Sequence, residues 1–368
     1  MSGWKNIMKY KKHFLARIPS SSILFFTVVL VFIKVVFYIL VKNEIILPGF
    51  VAASDADYYH GYVLGYFNSA VNIWPILLKY LDNYNLYSRE VISYILFFVT
   101  IVLIPLILCK IAGLNFKINQ KYYLYLWLLC SIYPTIYFFT FDVYRDVFMV
   151  LCFLIGCLVV KALLRTTSSL SFISLFIVSL SIGWFLAALR PYLGVAFIGA
   201  LFLWNIKFTK RRIFALSVLY LLVLFIANYI GVFNDITDYR GGFEEIGAGS
   251  TLGLSFSNPI LFIPNFILSF LGQMLGLYIT NPVAIVLLLV ETVPFFFTLI
   301  YVFKNIRLAD SFVRFLIIFF VLYASVWLIG NDNLGTALRL RIYNYLAVYI
   351  SFFYILRLKN KLPKDERS

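Results

Sequence analysis

The residues of this chain that could do chemistry are few and fall in short motifs. Asp55-Ala56-Asp57 sets two carboxylates close together, and Asp142-Val143-Tyr144-Arg145-Asp146 mixes acids with an arginine. Arg190-Pro191-Tyr192, Asp238-Tyr239-Arg240-Gly241-Gly242 and Arg339-Leu340-Arg341 add further arginines. A carboxylate can deprotonate an incoming hydroxyl as a general base. The planar fork of arginine donates two hydrogen bonds at once, which suits phosphate. Acids among isolated arginines and tyrosines therefore read as a site for a phosphorylated, hydroxyl-rich substrate. With only His13 and His60, a histidine-built metal centre is not expected. Cys109, Cys130, Cys152 and Cys157 all lie in apolar runs, where thiols act as small hydrophobes. They form no readable disulfide framework or CxxC metal site.

Each motif also has a plainer reading. On a helix Asp55 and Asp57 project about 200° apart, whereas on an extended segment they share a face. A helix starting near Asp57 would let Ser54 or Asp55 cap it. Asp142 and Arg145, three residues apart, read equally as a local ion pair. Pro191 suits the first position of a helix, and Arg190 has no acid near it in sequence. Arginines near helix ends can snorkel. Tyr58, Tyr62 and Tyr66 recur at helical spacing in the run that holds His60. That run reads either as an aromatic belt at a membrane interface or as a platform for a sugar or lipid headgroup. Glu244-Glu245 reads as a solvated charge pair. Lys34 could snorkel or line a cavity, and Glu291, close before Pro294, is a buried acid with no partner nameable from sequence.

The elements that must position these residues are membrane helices. Of 368 residues 63% are hydrophobic and 13% charged, with a mean hydropathy of +0.94; a soluble domain needs about 25% charged residues. Apolar runs near bilayer length fall at 22–42, 91–112, 122–141, 147–164, 170–189, 192–206, 213–232, 282–303, 311–330 and 342–357. The expected fold is all-α: a single polytopic membrane domain over 1–368 with about ten spans. The first run follows a basic flank with no small-residue cleavage site, and reads as a retained helix rather than a signal peptide. Two connections are long, 43–90 and 233–281. In the second, 233–258 is Gly/Ser-rich and acidic and reads as an irregular lid-like loop. Its remainder, 259–280, is apolar but carries Pro264, Asn265, Ser269, Gly272 and Gln273.

The net charge of +15 decides sidedness. If 259–280 is re-entrant or interfacial, ten spans put both termini on one side. That side, with the short basic connections, then nets +19, and the other side nets −4. The split obeys the positive-inside rule and reports orientation, so no nucleic-acid partner is expected. The short basic loops leave no room for a nucleotide-binding domain. Of the eight Lys/Arg on the other side, Arg145, Arg190, Arg240, Arg339 and Arg341 are the informative minority.

Asp55 and Asp57 after the first span, Tyr144-Arg145-Asp146, Arg190-Pro191-Tyr192, Arg240 and Arg339-Leu340-Arg341 together give a resemblance. The chain resembles bacterial O-antigen and capsule polysaccharide polymerases of the Wzy type, multi-span glycosyltransferases of the C-type superfamily. The resemblance implies an inner-membrane enzyme that acts at the periplasmic face on undecaprenyl-pyrophosphate-linked glycan. It implies Asp55 or Asp57 as the catalytic acid. It implies His60, Arg145, Asp146, Arg190, Tyr192, Arg240, Arg339 and Arg341 as substrate-binding residues. Neither metal nor cofactor is implied, because polyprenyl pyrophosphate is already an activated leaving group. Membrane lipid and a chain-length-regulating membrane protein are the other implied partners. One departure is the pattern of arginine, ten residues, then glycine: Thr251 stands at the glycine position after Arg240. An acid in the first outer loop is closer to transferases that add single sugars from polyprenyl phosphate. A lipid-linked oligosaccharide flippase is the leading non-enzyme alternative, ahead of a membrane scaffold. A histidine-dependent acyltransferase is weakened by a single outward histidine.

Overall fold

The computed structural model describes residues 18–47, 54–245 and 250–361. In chain order its helices are α1 (Ser20–Lys42), α2 (Ser54–Val63), α3 (Ile73–Asn83), α4 (Arg89–Ala112), α5 (Gln120–Ile132), α6 (Pro134–Phe138), α7 (Arg145–Leu163) and α8 (Ser169–Leu189). There follow α9 (Pro191–Leu203), α10 (Lys210–Tyr229), α11 (Asn234–Glu245), α12 (Pro259–Met274), α13 (Pro282–Lys304), α14 (Ser311–Gly330) and α15 (Leu334–Lys361). Among the described residues the fold is all-helical, and one isolated antiparallel bridge joins Thr251 to Asn333.

Among the described residues seven helices are long and apolar enough to cross a membrane: α1, α4, α7, α8, α10, α13 and α14. The remaining three apolar runs take other forms. The run 122–141 is divided at Tyr133-Pro134 into α5 and α6, because proline lacks an N–H and drives the residue before it out of the helical region. The run 192–206 becomes the 13-residue α9, and 342–357 lies inside the 28-residue α15. Burial ranks the helices by position. The apolar window of α14 is 72% buried, that of α1 17% and that of α10 only 6%. Thus α14, α7 and α15 form the centre, while α1 and α10 lie at the rim with apolar sides outward.

Tight contacts fix the turns between helices. Gly194 of α9 meets the backbone of Gly183 and Ala187 in α8, so any side chain there would strike main chain. Small residues let two helix backbones approach in this way. Arg190, extended between the two helices, is held at their joint. Three π turns, Val99–Leu103, Phe270–Met274 and Leu288–Thr292, widen α4, α12 and α13. A π turn disturbs the regular backbone ladder, and two tyrosines of α15 bond to carbonyls at these turns. Tyr345 donates to Met274 O at 2.7 Å and Tyr349 to Glu291 O at 3.2 Å.

Hydrogen bonds gather the basic connections at one end. Lys161 donates to the carbonyls of Lys110 and Ile111, Arg357 to that of Gly113, and Lys359 to Asn305. Arg165 donates to Tyr354 Oη, which donates to Asp310. The chemistry-bearing motifs meet at the other end of the same helices.

The 259–280 stretch starts at that second end, where Asn228 bonds to Phe256 O, and Ser269 and Gln273 bond to the carbonyls of Leu328 and Asn331. It ends beside Tyr345, about 16 Å along α15 by helical rise. Gly276, with φ +61°, then turns the chain back against Arg341. The segment therefore runs only part of the length of α15 before reversing.

Two loop expectations are corrected. Residues 234–245 are helical rather than irregular; the Glu244 and Glu245 side chains lie outside the described residues. Helix α2 ends at Val63, so Tyr66 leaves the face shared by Tyr58 and Tyr62.

Candidate functional site

Helix α2 buries Ala56, Tyr59 and Val63 at helical spacing, which sets its register against the core. That register sends the two aspartates to different partners. Asp55, one turn before Tyr59, forms an ion pair with Arg339 of α15. Both remain partly open, with Asp55 41% and Arg339 23% exposed at the side chain. Asp57 pairs instead with Arg89 at 2.6 Å. The structure thus gives the helical alternative for Asp55-Ala56-Asp57, and the Asp55 carboxylate pairs with a residue of the distant helix α15.

Around the Asp55–Arg339 pair the other motifs converge. Arg339 lies over the rings of Phe139 (4.8 Å) and Tyr144 (5.6 Å), and it also feels the Asp146 carboxylate and the Arg190 guanidinium. Asp146 opens α7, where an acid favours the helix dipole. Its carboxylate faces Arg190 across 3.6 Å, both side chains nearly fully buried. Sequence offered no partner for Arg190, and a residue of another helix supplies it. Tyr192 stands 5.9 Å from the Arg190 guanidinium, and Tyr323 and Tyr343 lie nearby. Arg145 donates to Leu189 O at 3.0 Å. It does not pair with Asp142, so the local i, i+3 ion pair is corrected: helix α7 begins at Arg145 and leaves Asp142 outside it, facing α4.

Among the described residues several polar atoms in this cluster are buried and have no hydrogen-bond partner: Nε and Nη1 of Arg190, Nε of Arg145, Oδ1 of Asp146 and the Tyr343 hydroxyl. Burying such groups unpaired is costly, so native structures keep them rare and often functional. Here they are donors and an acceptor beside a half-open carboxylate. Tyrosines complete the surroundings. Tyr59 is raised above its ordinary pKa chiefly by burial, with Asp146 and Asp55 adding and Arg145 opposing. Tyr239 of α11 is also raised, first by burial, and it senses Tyr192, Arg190, Arg145 and Asp55. Burial pushes Tyr144 up to about 12, with Arg339 opposing. All three phenols stay protonated at neutral pH and can donate to an anion.

The remaining candidates sit elsewhere. His60 Nδ1 is 2.9 Å from the Tyr87 hydroxyl, on the Asp57 side of α2. Arg89, which the motifs did not single out, holds Asp142 in a two-point pair (2.8 and 2.5 Å) as well as Asp57, clamping α2 and the 140–144 turn to α4. Trp74 strengthens that clamp by donating to Val143 O at 2.8 Å. Arg240 is buried and donates to the carbonyls of Leu254, Leu328, Ile329 and Asn331 and to the Asp332 carboxylate. It ties the 233–281 segment to the end of α14. Arg341 is buried against Glu291 at 2.8 Å, and Glu291 also accepts from Thr135 N (2.9 Å) and Thr135 Oγ1 (2.5 Å). Lys34 donates to Tyr133 O nearby at 3.1 Å.

Asp55, Arg145, Asp146, Arg190, Tyr192 and Arg339 therefore form one site, while Asp57, His60, Arg240 and Arg341 belong to three separate clamps. Tyr59 joins the site from a position that carried no distinctive spacing, and Tyr144 and Tyr239 join it from within motifs already read in the sequence. No protein-family model, curated protein or solved structure matches the chain.

Proposed function

We propose that this chain is a membrane glycosyltransferase that polymerises undecaprenyl-pyrophosphate-linked repeat units of O-antigen or capsule. The observation that carries this reading is the meeting of a half-open carboxylate, Asp55, with Arg339, Arg190 and Arg145, two of which hold buried N–H groups without partners. In this mechanism Asp55 takes the proton from an acceptor sugar hydroxyl as its oxygen attacks the anomeric carbon of the donor. The anomeric C–O bond breaks, and the electron pair leaves with the polyprenyl pyrophosphate. Arg145, Arg190 and Arg339 hold that leaving group and stabilise its growing charge. Neutral Tyr59, Tyr144 and Tyr239 supply further donors. Asp57, Arg240 and Arg341 hold the scaffold.

The charge split supports about ten crossings of a bacterial inner membrane, both termini cytoplasmic and the site periplasmic. The partial course of 259–280 supports the even count. A chain-length-regulating membrane protein is the partner this reading calls for. The same site chemistry serves a transferase of single sugars from polyprenyl phosphate. A flippase has less support, because the interior polar group around Glu291 is closed by three hydrogen bonds.

Single replacements of Asp55, Arg190 and Arg339 in cells, with surface polysaccharide as readout, test the proposal. Loss of long chains with single repeat units still exported supports it. Loss of export, with substrate held on the cytoplasmic side, points to a flippase and sinks the enzyme reading.

A further inference from the structure

The corner where α10 begins and α13 ends carries a site of a different kind. Arg211 in the first turn of α10, Lys304 at the end of α13 and Arg307 just beyond it line one cleft of roughly 850 Å³. Its walls are apolar, with Phe208, Ile213 and Phe303 among them. Arg211 and Arg307 are exposed and form no ion pair among the described residues. A second cleft, on the other flank of α10, adds Lys207 and Arg212. Among the described residues no acid lines either cleft. Asp310, the acid closest in sequence, is committed to Val313 N (3.0 Å) and Tyr354 Oη (2.6 Å).

The apolar surface continues upward from these cations. Helix α10 packs through its far half, where Tyr220, Leu224 and Phe225 join Phe256 and Phe262, and Asn228 bonds to Phe256 O. Near its basic end Phe214 and Val218 are exposed. A ligand matching this corner has an anionic head for three cations and hydrocarbon for the helix side above them.

We infer that the cleft between α10 and α13 binds an anionic phospholipid, its phosphodiester on Arg211, Lys304 and Arg307 and its chains along α10. Basic pockets between membrane helices recognise such headgroups. A soluble phosphate shares the head chemistry but gains nothing from the apolar wall. The inference does not rest on the glycosyltransferase reading.

The test uses the full chain in nanodiscs of phosphatidylcholine, alone or mixed equally with phosphatidylglycerol. Phosphatidylglycerol is expected to raise the unfolding temperature of the wild type and of Lys79→Gln, a control beside Tyr62. The Arg211→Gln/Arg307→Gln variant is expected to lose that rise and to hold phosphatidylglycerol about thirtyfold more weakly in native mass spectrometry. Arg211→Lys/Arg307→Lys keeps both charges and is expected to keep the rise. An unchanged rise in the glutamine variant would overturn the inference, as would its loss in the lysine variant. So would glycerol 1-phosphate, added to phosphatidylcholine nanodiscs, giving the same rise as the lipid.

Discussion

Arg339 and Arg341 stand two residues apart on α15 and serve opposite sides of it. Arg339 pairs with Asp55 at a partly open edge, and Arg341 pairs with Glu291 in the buried interior. The helix separates them by about 200°. The same geometry divides Asp55 from Asp57 on α2. Two motifs that look like doublets in sequence are therefore each one site residue and one scaffold residue.

The consequence for Arg341 is a folding defect. Replacing it with methionine leaves Glu291 buried and unpaired, which costs on the order of 3–5 kcal/mol. Arg341→Met should lower the yield of folded protein sharply, and Arg341→Met/Glu291→Gln should restore much of it. Size-exclusion profiles in detergent read both; equal yields for wild type and Arg341→Met would remove the scaffold role.

Replacing the aspartates should separate chemistry from clamping. Asp55→Asn keeps the shape and removes the base, so turnover should fall about 10²–10⁴-fold with little change in unfolding temperature. Asp57→Asn weakens a contact that Asp142 also makes with Arg89, so activity should fall less than about tenfold. Equal losses for the two variants would argue against Asp55 as the base.

Arg190 tests the need for a planar fork. Arg190→Lys keeps the charge but loses the second parallel donor, and donor turnover should drop about tenfold or more. Gly194→Val should reproduce part of this defect from a distance, by forcing α8 and α9 apart at the joint that holds Arg190. Normal activity in Gly194→Val would show that the joint does not position the arginine.

Alkaline pH gives a stability prediction. The buried Tyr144 is held up near 12, against about 10 in the unfolded chain. A raised folded-state value contributes stability that is fully present below pH 10 and lost between about 10 and 12. Tyr144→Phe should lose less stability across that window than the wild type in thermal melts.

The membrane character and the helical class were legible in sequence because composition and apolar run length report them directly. Site membership was legible only in part. Arg190 and Asp146 were visible as residues, but their pairing joins two helices that no local spacing connects. Asp142 misled for the converse reason: an i, i+3 spacing implies a helix, and α7 starts only at Arg145, three residues after Asp142. Arg89 was hidden because a lone arginine before an apolar run looks like any helix-end cation. Glu291 and Arg341, fifty residues apart, meet across two helices that no local spacing connects. Tyr59 carried no signal of its own in a chain with 27 tyrosines.

The most direct measurement is transfer in vitro, with the purified chain in nanodiscs supplied with undecaprenyl-pyrophosphate-linked oligosaccharide. The expected result is a ladder of longer glycans with release of undecaprenyl pyrophosphate, and neither product from Asp55→Asn although it still binds the donor. Movement of intact donor across the bilayer with no new glycosidic bond, unaffected by Asp55→Asn, would contradict it.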